Sequence, residues 1–307
     1  MDYKKIIKSR KIRLKILDLL SFIPDKTMIS FQYRIKTGKK INLKKPLRYT
    51  EKIQWYKLYY RTPLMIKCVD KYDVREYIKD KGLEDILLPC YGVYDSVEDI
   101  EWKKLPEKFV MKDTLGGGGN SVEIIKNKRN IDFNDLREKG KKWTDINART
   151  RGGGREWPYY SGKKHRILIE KFIESDLSKG GLIDYKFLCF NGKVRLVYVL
   201  SDRVTGSGAE CGFFDIEFNQ LLITESDEKP LKRRIKKPEN FEKMIEVAEK
   251  LSADFPCARI DLYNEKGKVI FGEITFYDSS GYMKFNPDNF DFKLGEKFLL
   301  PPKTIKV

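Results

Sequence analysis

The chain has 307 residues, of which 41% are hydrophobic and 13% aromatic, and its formal net charge is +17. This composition predicts a globular protein long enough for two or three cored lobes, and the absence of an apolar run of about 18 residues argues against a membrane-spanning helix. Five scattered cysteines and one histidine argue against a disulfide framework and a zinc site. The positive charge indicates either a solvated Lys-rich surface or an anionic partner, for which a membrane or an acidic polymer is favoured over nucleic acid because no recognition signature is present.

The first 40 residues form a separate segment that is basic and amphipathic. Seven Lys and Arg lie between Lys4 and Lys15, interleaved with Ile and Leu. As a helix, residues 4–23 suit the surface of an anionic bilayer. The alternative is a helix that packs on the body of the protein. The expected location is the cytoplasm, either in solution or at the inner face of the membrane.

Residues 41–105 are predicted to form a small N-terminal lobe. Two short helices are expected between Thr50 and Gly82, the first broken near Pro63 and the second stopped at Gly82. Trp55 and Tyr59 are expected to pack in a core. The stretch "ILLPCYGVYDS" then predicts a strand.

The next segment, 106–175, contains two strands, "KFVMK" and "SVEIIK", joined by four consecutive glycines, Gly116 to Gly119. No helix follows closely, so the turn is neither a P-loop nor a Rossmann turn. Ordering glycine is costly, so either the turn is an accidental flexible link or a ligand approaches its backbone closely. Free amide groups there can bind phosphate oxygens, and Lys112 would project into the same space.

A helix is expected from "DFNDLREKGKKW", followed by a mobile basic loop over 147–160. Arg149, Arg151 and Arg155 in this loop either receive an acidic substrate or are solvated. His165 opens the strand "HRILIEKFI" and is expected at the surface.

Residues 176–307 are predicted to hold a strand hairpin around "FNGK", a further strand "CGFFDIEFN", an amphipathic helix in "PENFEKMIEVAEKLSADF" and a last hairpin. Asp261 and Glu273 lie on the two strands of that last hairpin. Two such carboxylates can converge on Mg²⁺, which takes one or two carboxylates together with nucleotide phosphates. Arg259 shares the face of Asp261 and can contact the same phosphate. The alternative is a surface ladder of salt bridges.

The order and spacing of these stretches resemble the ATP-grasp superfamily. From about Lys44 the chain resembles its TupA-like group, linked to teichuronopeptide and other surface-polysaccharide synthesis. The stretches that carry the resemblance are "EKIQWYKLYYR", "DKYDVREYI", "LPEKFVMK", "DYKFLCFNGK", "SDR", "ARIDLYNEKGKVIFGEITF" and "SSG". It implies an α/β (α+β) ATP-grasp fold: a small pre-grasp lobe, then two α+β lobes that clamp ATP, 106–175 with the Gly-rich loop and 176–307 with the metal site.

The resemblance also implies roles for individual residues. The nucleotide phosphates would be bound by Lys71, Lys112, Lys186, Gly116, Gly117, Gly118, Gly119, Asn120 and Ser121. Glu170 would meet the adenine amino group, and the backbone of Lys171 and Ile173 would pair with the ring edge. Arg259, Asp261 and Glu273 match the catalytic arginine and the metal carboxylates.

One departure concerns the second metal position, which is Glu-x-Asn in many ATP-grasp enzymes. Here it is Glu273-Ile-Thr275, and threonine is a weaker ligand than an amide oxygen, so the number of bound metal ions, one or two, stays open.

Asp202-Arg203 follows an apolar strand, and Arg203 either binds a substrate carboxylate or forms a strand-end ion pair.

The resulting hypothesis is an ATP- and Mg²⁺-dependent carboxylate–amine ligase that acts through an acylphosphate. Its substrate would be an acidic sugar or amino acid in capsular or surface-polysaccharide biosynthesis. One alternative is a glycosyltransferase, although the chain has no Asp-x-Asp triplet. The other is a non-catalytic membrane- or polymer-binding module. The acceptor and the oligomeric state stay open.

Overall fold

The computed structural model describes residues 9–117, 121–145, 154–175, 181–201 and 209–305. The helices of these ranges are α1 (Arg10–Leu19), α2 (Asp25–Thr37), α3 (Tyr49–Tyr59), α4 (Pro63–Val69), α5 (Val74–Asp80), α6 (Phe133–Thr144), α7 (Phe241–Ser252) and α8 (Phe290–Lys297). The strands are β1 (Cys90–Tyr94), β2 (Phe109–Asp113), β3 (Val122–Ile125), β4 (Ile167–Lys171), β5 (Asp184–Phe190), β6 (Lys193–Ser201), β7 (Glu210–Phe214), β8 (Thr224–Glu225), β9 (Lys229–Pro230), β10 (Cys257–Glu265), β11 (Lys268–Thr275) and β12 (Phe285–Asn286).

The chain divides into two compact units. The larger unit comprises residues 1–62, 150–157 and 175–307, and the smaller unit comprises 63–149 and 158–174. The predicted N-terminal lobe, 41–105, is therefore shared between both units, because α3 belongs to the larger and α4 and α5 to the smaller. The segment boundaries expected from the sequence stay a prediction.

The smaller unit contains a four-stranded antiparallel sheet in the order β1-β4-β2-β3. Side chains alternate between the two faces of a strand, so Phe109 and Met111 of β2 point into the same buried cluster, which also contains Ile167 and Ile169 of β4. The same alternation places Lys112 on the opposite face of the sheet.

The larger unit is built on a six-stranded sheet in the order β11-β10-β5-β6-β7-β9, antiparallel except for the β7–β9 pair. The helix α7 covers one face with Met244, Val247, Ala248 and Leu251, all fully buried. A separate two-stranded sheet pairs β8 with β12. The opposite face at β5, β10 and β11 carries the charged side chains described below.

Most predicted helices and strands are present in the described ranges, with two corrections. Between Thr50 and Gly82 there are three helices rather than two, since Pro63 begins α4 instead of only ending α3. Proline suits the first turn of a helix, where its missing N–H is not needed. Trp55 and Tyr59 pack in a buried cluster with Ile29 and Leu58, as predicted.

The second correction concerns the basic loop over 147–160, whose residues 147–153 lie outside the described ranges. In its described part, Trp157–Tyr160 form a 3₁₀ turn. Arg155 is buried rather than solvated or open to a substrate, because its guanidinium binds backbone carbonyls near the end of α1. Among the helices of the described ranges, none is long and apolar enough to cross a bilayer.

Candidate functional site

Three neighbouring strands of the larger unit place charged side chains side by side. In the antiparallel register Lys186 of β5 lies opposite Asp261 of β10, and Asp261 lies opposite Glu273 of β11. Residues directly opposite in an antiparallel pair share a face and lie within contact distance. The two carboxylates expected to converge therefore do so, in one row across the sheet with Lys186.

Arg259 lies two residues before Asp261 on β10, on the same face of the sheet, and contacts this row. Its Nε and Nη2 donate to the two oxygens of Asp261 at 2.6 and 2.8 Å. Nη2 also lies 3.0 Å from Glu273 Oε1 and 3.0 Å from Thr275 Oγ1. The Lys186 ammonium contacts Asp261 and lies 2.7 Å from Asp184 Oδ2. Each predicted residue of this group is thus within one network of charge-assisted hydrogen bonds.

A β-bulge decides which face Glu273 occupies. The register between β10 and β11 shifts between Asp261 and Leu262, and Gly272 is the extra residue on β11. A Cβ at Gly272 would lie 3.0 Å from the carbonyl oxygen of Asp261, so the two backbones approach closely there. Bulges of this kind redirect a side chain, and here the bulge brings Glu273 to the face of Asp261.

Burial and charge act in opposite directions on these groups. Burial raises the pKa of Asp261, while Arg259 and Lys186 lower it, and the net change is upward. Burial lowers the pKa of Arg259, but Asp261, Tyr198 and Asp278 raise it by more than that. The net change in the pKa is upward, so Arg259 remains charged. The network therefore places cations next to carboxylates where little water surrounds them. Charges interact strongly in such an environment.

Asp278, Tyr198 and Asp184 also belong to the network, although the sequence interpretation missed all three. Asp278 is fully buried and accepts from Arg259 Nη1 at 2.6 Å and from the Tyr198 hydroxyl at 2.8 Å. Burial raises the pKa of Tyr198 well above its ordinary value, so its hydroxyl stays a donor. The Asp184-x-Lys186 spacing, which puts both residues on one face of β5, was the one available signal; Asp278 and Tyr198 had none.

The backbone after β11 is strained and tightly held. Ser279, Ser280 and Gly281 have φ values of 46°, 54° and 71°, in the left-handed region that serine rarely adopts. Gln54 of α3 donates to the carbonyls of Ser280 and Gly281 at 2.9 and 2.8 Å, and Lys57 donates to Ser280 at 2.9 Å. These bonds fix the turn that begins with Asp278, the residue that orients Arg259.

The smaller unit holds the residues expected to bind phosphates and adenine. Lys112 and Glu170 lie on the face of the sheet opposite its core and form an ion pair. Lys71 donates to the carbonyl oxygen of Gly116. The Ser121 carbonyl accepts the Asp113 N–H at 3.0 Å, which closes the glycine turn at its far end. Both predicted lysines thus contact other predicted nucleotide-binding residues.

The remaining predicted residues are less informative. The N–H of Lys171 donates to Pro89 at 3.0 Å, and Ile173 is partly buried just after β4. Gly118, Gly119, Asn120 and Arg203 lie outside the described residues. His165 was expected at the surface but is partly buried, because its Nδ1 approaches the Asp113 carboxylate to 2.9 Å.

The two facing carboxylates fit a magnesium site. In the described part of the chain no group of three or more His, Cys, Asp or Glu is arranged to hold a metal ion. Mg²⁺ does not need such a group, since one or two carboxylates suffice when phosphate oxygens and water complete its octahedron. Asp261 and Glu273 would supply the oxygens, and Arg259 and Lys186 are cations that would suit the phosphates.

Comparisons with known proteins found solved structures that are similar to this chain at low sequence identity. The structure of D-alanine–D-alanine ligase from Bacillus anthracis complexed with ATP matches at 16% identity and a TM-score of 0.39, covering 68% of this chain and 55% of that one. The same enzyme from Helicobacter pylori matches at 15% identity and a TM-score of 0.46, covering 83% and 68%. The ATP-grasp ligase PsnB complexed with minimal precursor, Mg and ADP matches at 11% identity and a TM-score of 0.36, covering 74% and 57%.

This chain spans little more than half the length of the B. anthracis and PsnB chains. No curated protein sequence matches it. The model of the TupA-like ATP-grasp family matches residues 51–299, which is most of the chain. The chain has the ATP-grasp fold and belongs to the TupA-like ATP-grasp family.

Proposed function

We propose that the protein is an ATP-dependent carboxylate–amine ligase acting in surface-polysaccharide biosynthesis. A substrate carboxylate oxygen attacks the γ-phosphorus of ATP, which breaks the bond to the bridging oxygen and releases ADP. The amine nitrogen of the second substrate then attacks the acyl carbon of the acylphosphate. Phosphate leaves, the nitrogen loses a proton, and an amide results.

The observation that carries the proposal is the row Lys186–Asp261–Glu273 with Arg259 beside it. Phosphoryl transfer needs little covalent help from a protein, and positioning and charge neutralisation dominate its catalysis. A paired set of carboxylates and cations on adjacent strands is suited to that task. Family membership supports the same interpretation.

Each residue set is proposed to have a part in nucleotide binding within its own unit. Asp261 and Glu273 would hold Mg²⁺, with Thr275 as a weaker third oxygen, and the ion would neutralise phosphate charge when bound. Arg259 and Lys186 exchange their contacts to Asp261 for contacts to the transferring phosphoryl group. The remaining sets act on the phosphates (Lys71, Lys112, Gly116–Gly119, Asn120 and Ser121), on adenine (Glu170, Lys171 and Ile173) and on the substrate carboxylate (Arg203).

The acidic substrate is proposed from charge and family. A net charge of +17 favours an anionic partner such as a uronic acid or an amino-acid carboxylate on a glycan precursor. The family description names the fold group but no substrate. A screen for ADP release against amino acids paired with uronic-acid glycans, read by mass spectrometry for the new amide, would identify both substrates.

The decisive variant is Asp261→Asn, which keeps the shape of the side chain and removes its charge. We expect ADP release to fall by about 100-fold or more, because a positioned electrostatic group contributes that much to such a step. Glu265→Gln, at the turn end of the same strand, is the matched control and should keep the wild-type rate. ADP release by Asp261→Asn at the wild-type rate would remove the metal assignment.

A further inference from the structure

Helix α1 and the turn after it expose large apolar side chains. Ile12, Ile16 and Leu19 follow the i, i+4, i+7 spacing that puts residues on one helical face. Leu19 is 76% exposed, and Phe22 in the following turn is 78% exposed. A face of this kind normally packs against a core, so its exposure requires a different explanation.

Helix α2 adds two more exposed apolar residues. One of its faces is buried, but Phe31 and Ile35 lie one turn apart and remain exposed. Together with Ile12, Ile16, Leu19 and Phe22 they make up the exposed large apolar side chains of the two helices and the turn between them, called the N-terminal apolar face below. These six are nearly half of the thirteen exposed large apolar residues in the described part of the chain, although they fall within 24 positions. Such concentrations mark interaction sites.

The same part of the chain carries most of the positive charge. Residues 1–45 contain 14 Lys and Arg and three Asp, a net charge of +11 out of +17 for the whole chain. Lys15, Lys26 and Arg34, which lie on or between these helices, are exposed. Apolar residues next to a high density of cations match a surface that is apolar inside and negatively charged outside.

A buried arginine fixes the junction between the two helices. Arg155 donates to the carbonyls of Leu20 at 2.7 Å and Ile23 at 2.8 Å, and it lies 3.0 Å from Asp25 Oδ1. It is 2% exposed, and every one of these partners lies between the end of α1 and the first residue of α2. The junction is therefore held by strong hydrogen bonds although the helices expose apolar residues.

We propose that α1 and α2 form a membrane-binding platform for anionic lipid bilayers. The N-terminal apolar face inserts at the boundary between headgroups and acyl chains, and the surrounding Lys and Arg bind the lipid phosphates. A second copy of this chain would bring its own +11 against this surface, and like charges disfavour that occupant. The platform lies on the membrane and does not depend on the proposed ligase activity.

The test is co-sedimentation of the full chain with unilamellar vesicles. Wild-type protein is expected to bind vesicles of mixed phosphatidylcholine and phosphatidylglycerol and to remain in the supernatant with phosphatidylcholine alone. The double variant Leu19→Glu/Phe22→Glu should bind the mixed vesicles about 100-fold more weakly, since it loses two inserted side chains and gains two negative charges.

The matched control is Leu222→Glu/Leu299→Glu, which introduces the same charges at residues that are 97% and 69% exposed elsewhere in the unit. It should bind the mixed vesicles as the wild type does. Equal binding by both double variants would overturn the proposal. So would a wild-type chain that binds neither vesicle but self-associates through Leu19 and Phe22, because the occupant would then be a second copy.

Discussion

Two buried cations of the larger unit, Arg259 and Lys57, are stabilised by different means. Arg259 is surrounded by the carboxylates of Asp261, Glu273 and Asp278, and its pKa is raised. Lys57 is more deeply buried than Arg259, and it donates to carbonyl oxygens of Gly154 and Ser280, which carry no net charge. Carbonyl groups satisfy the hydrogen bonds of an ammonium but offset little of its desolvation.

Lys57 should therefore titrate near neutrality. Burial lowers its pKa from 10.5 to about 7. Below pH 7 both folded and unfolded chains hold the proton, and the full desolvation cost falls on the folded state. Between about pH 7 and 10.5 only the unfolded chain holds it, so the free energy of unfolding rises by about 1.4 kcal/mol per pH unit from this group.

The measurement is urea unfolding of wild-type and Lys57→Met protein from about pH 6 to pH 10. Other titrations cancel in the difference, so wild-type minus variant stability should be flat below pH 7 and rise above it. Lys243→Met, at an exposed position on α7, should show no such rise. A difference that stays flat or falls with pH would contradict the lowered pKa.

At the scale of the element, the β10–β11 hairpin shows what the sequence could and could not predict. The turn residues Lys266 and Gly267 both have positive φ, which is typical of two-residue hairpins, and the "NEKG" signal predicted it. Counting back from the Glu265–Lys268 pair in strict register would set Asp261 opposite Gly272. Glu273 would then point to the other face of the sheet.

Only the bulge at Gly272 brings the two carboxylates together, and a single sequence does not reveal a bulge. The prediction that Asp261 and Glu273 converge was thus confirmed through a feature that it did not contain. The turn at Asp278–Gly281 is similar. Its left-handed serines are held by Gln54 and Lys57 from more than 220 positions earlier, contacts that local pattern cannot report.

The glycine turn of the smaller unit gives a matched pair of positions. A Cβ on Gly116 would lie 2.6 Å from Ser121 Cβ and 3.1 Å from Asp113 Cβ, whereas a Cβ on Gly117 would meet nothing within 4 Å. Gly116→Ala must therefore displace the turn, at a cost of about 1–3 kcal/mol, and should weaken ATP binding because Lys71 binds the Gly116 carbonyl.

Gly117→Ala is the control and should change stability by less than about 1 kcal/mol. Chemical unfolding gives the stabilities, and calorimetric titration with Mg-ATP gives the affinities of both variants. If Gly116→Ala binds ATP as tightly as Gly117→Ala, the close packing of the turn has no part in nucleotide binding.

At the scale of the whole molecule, family and fold class followed from the order of short stretches, and the family match confirms them. The division of the chain into these two units was not evident from the order of the stretches. In the sequence, the smaller unit lies between two parts of the larger one. Residues 150–157 also belong to the larger unit, although the smaller unit continues over 158–174. Segments distant in sequence complete one core, and composition along the chain carries no mark of that.

If the residues assigned to nucleotide binding in each unit do bind it, Mg-ATP should stabilise each of the two units. A ligand that binds only the folded state adds about 2.7 kcal/mol of stability at 100 times its Kd, and the gain reaches only the parts whose unfolding releases it. Hydrogen exchange should therefore slow with Mg-ATP at the β2–β3 turn and also along β5, β10 and β11. ATP with a chelator should give a smaller effect, and Asp261→Asn should lose the part that depends on Mg²⁺. Protection confined to one unit would remove the residues of the other unit from nucleotide binding. Protection by a UDP-sugar in place of ATP would favour the glycosyltransferase.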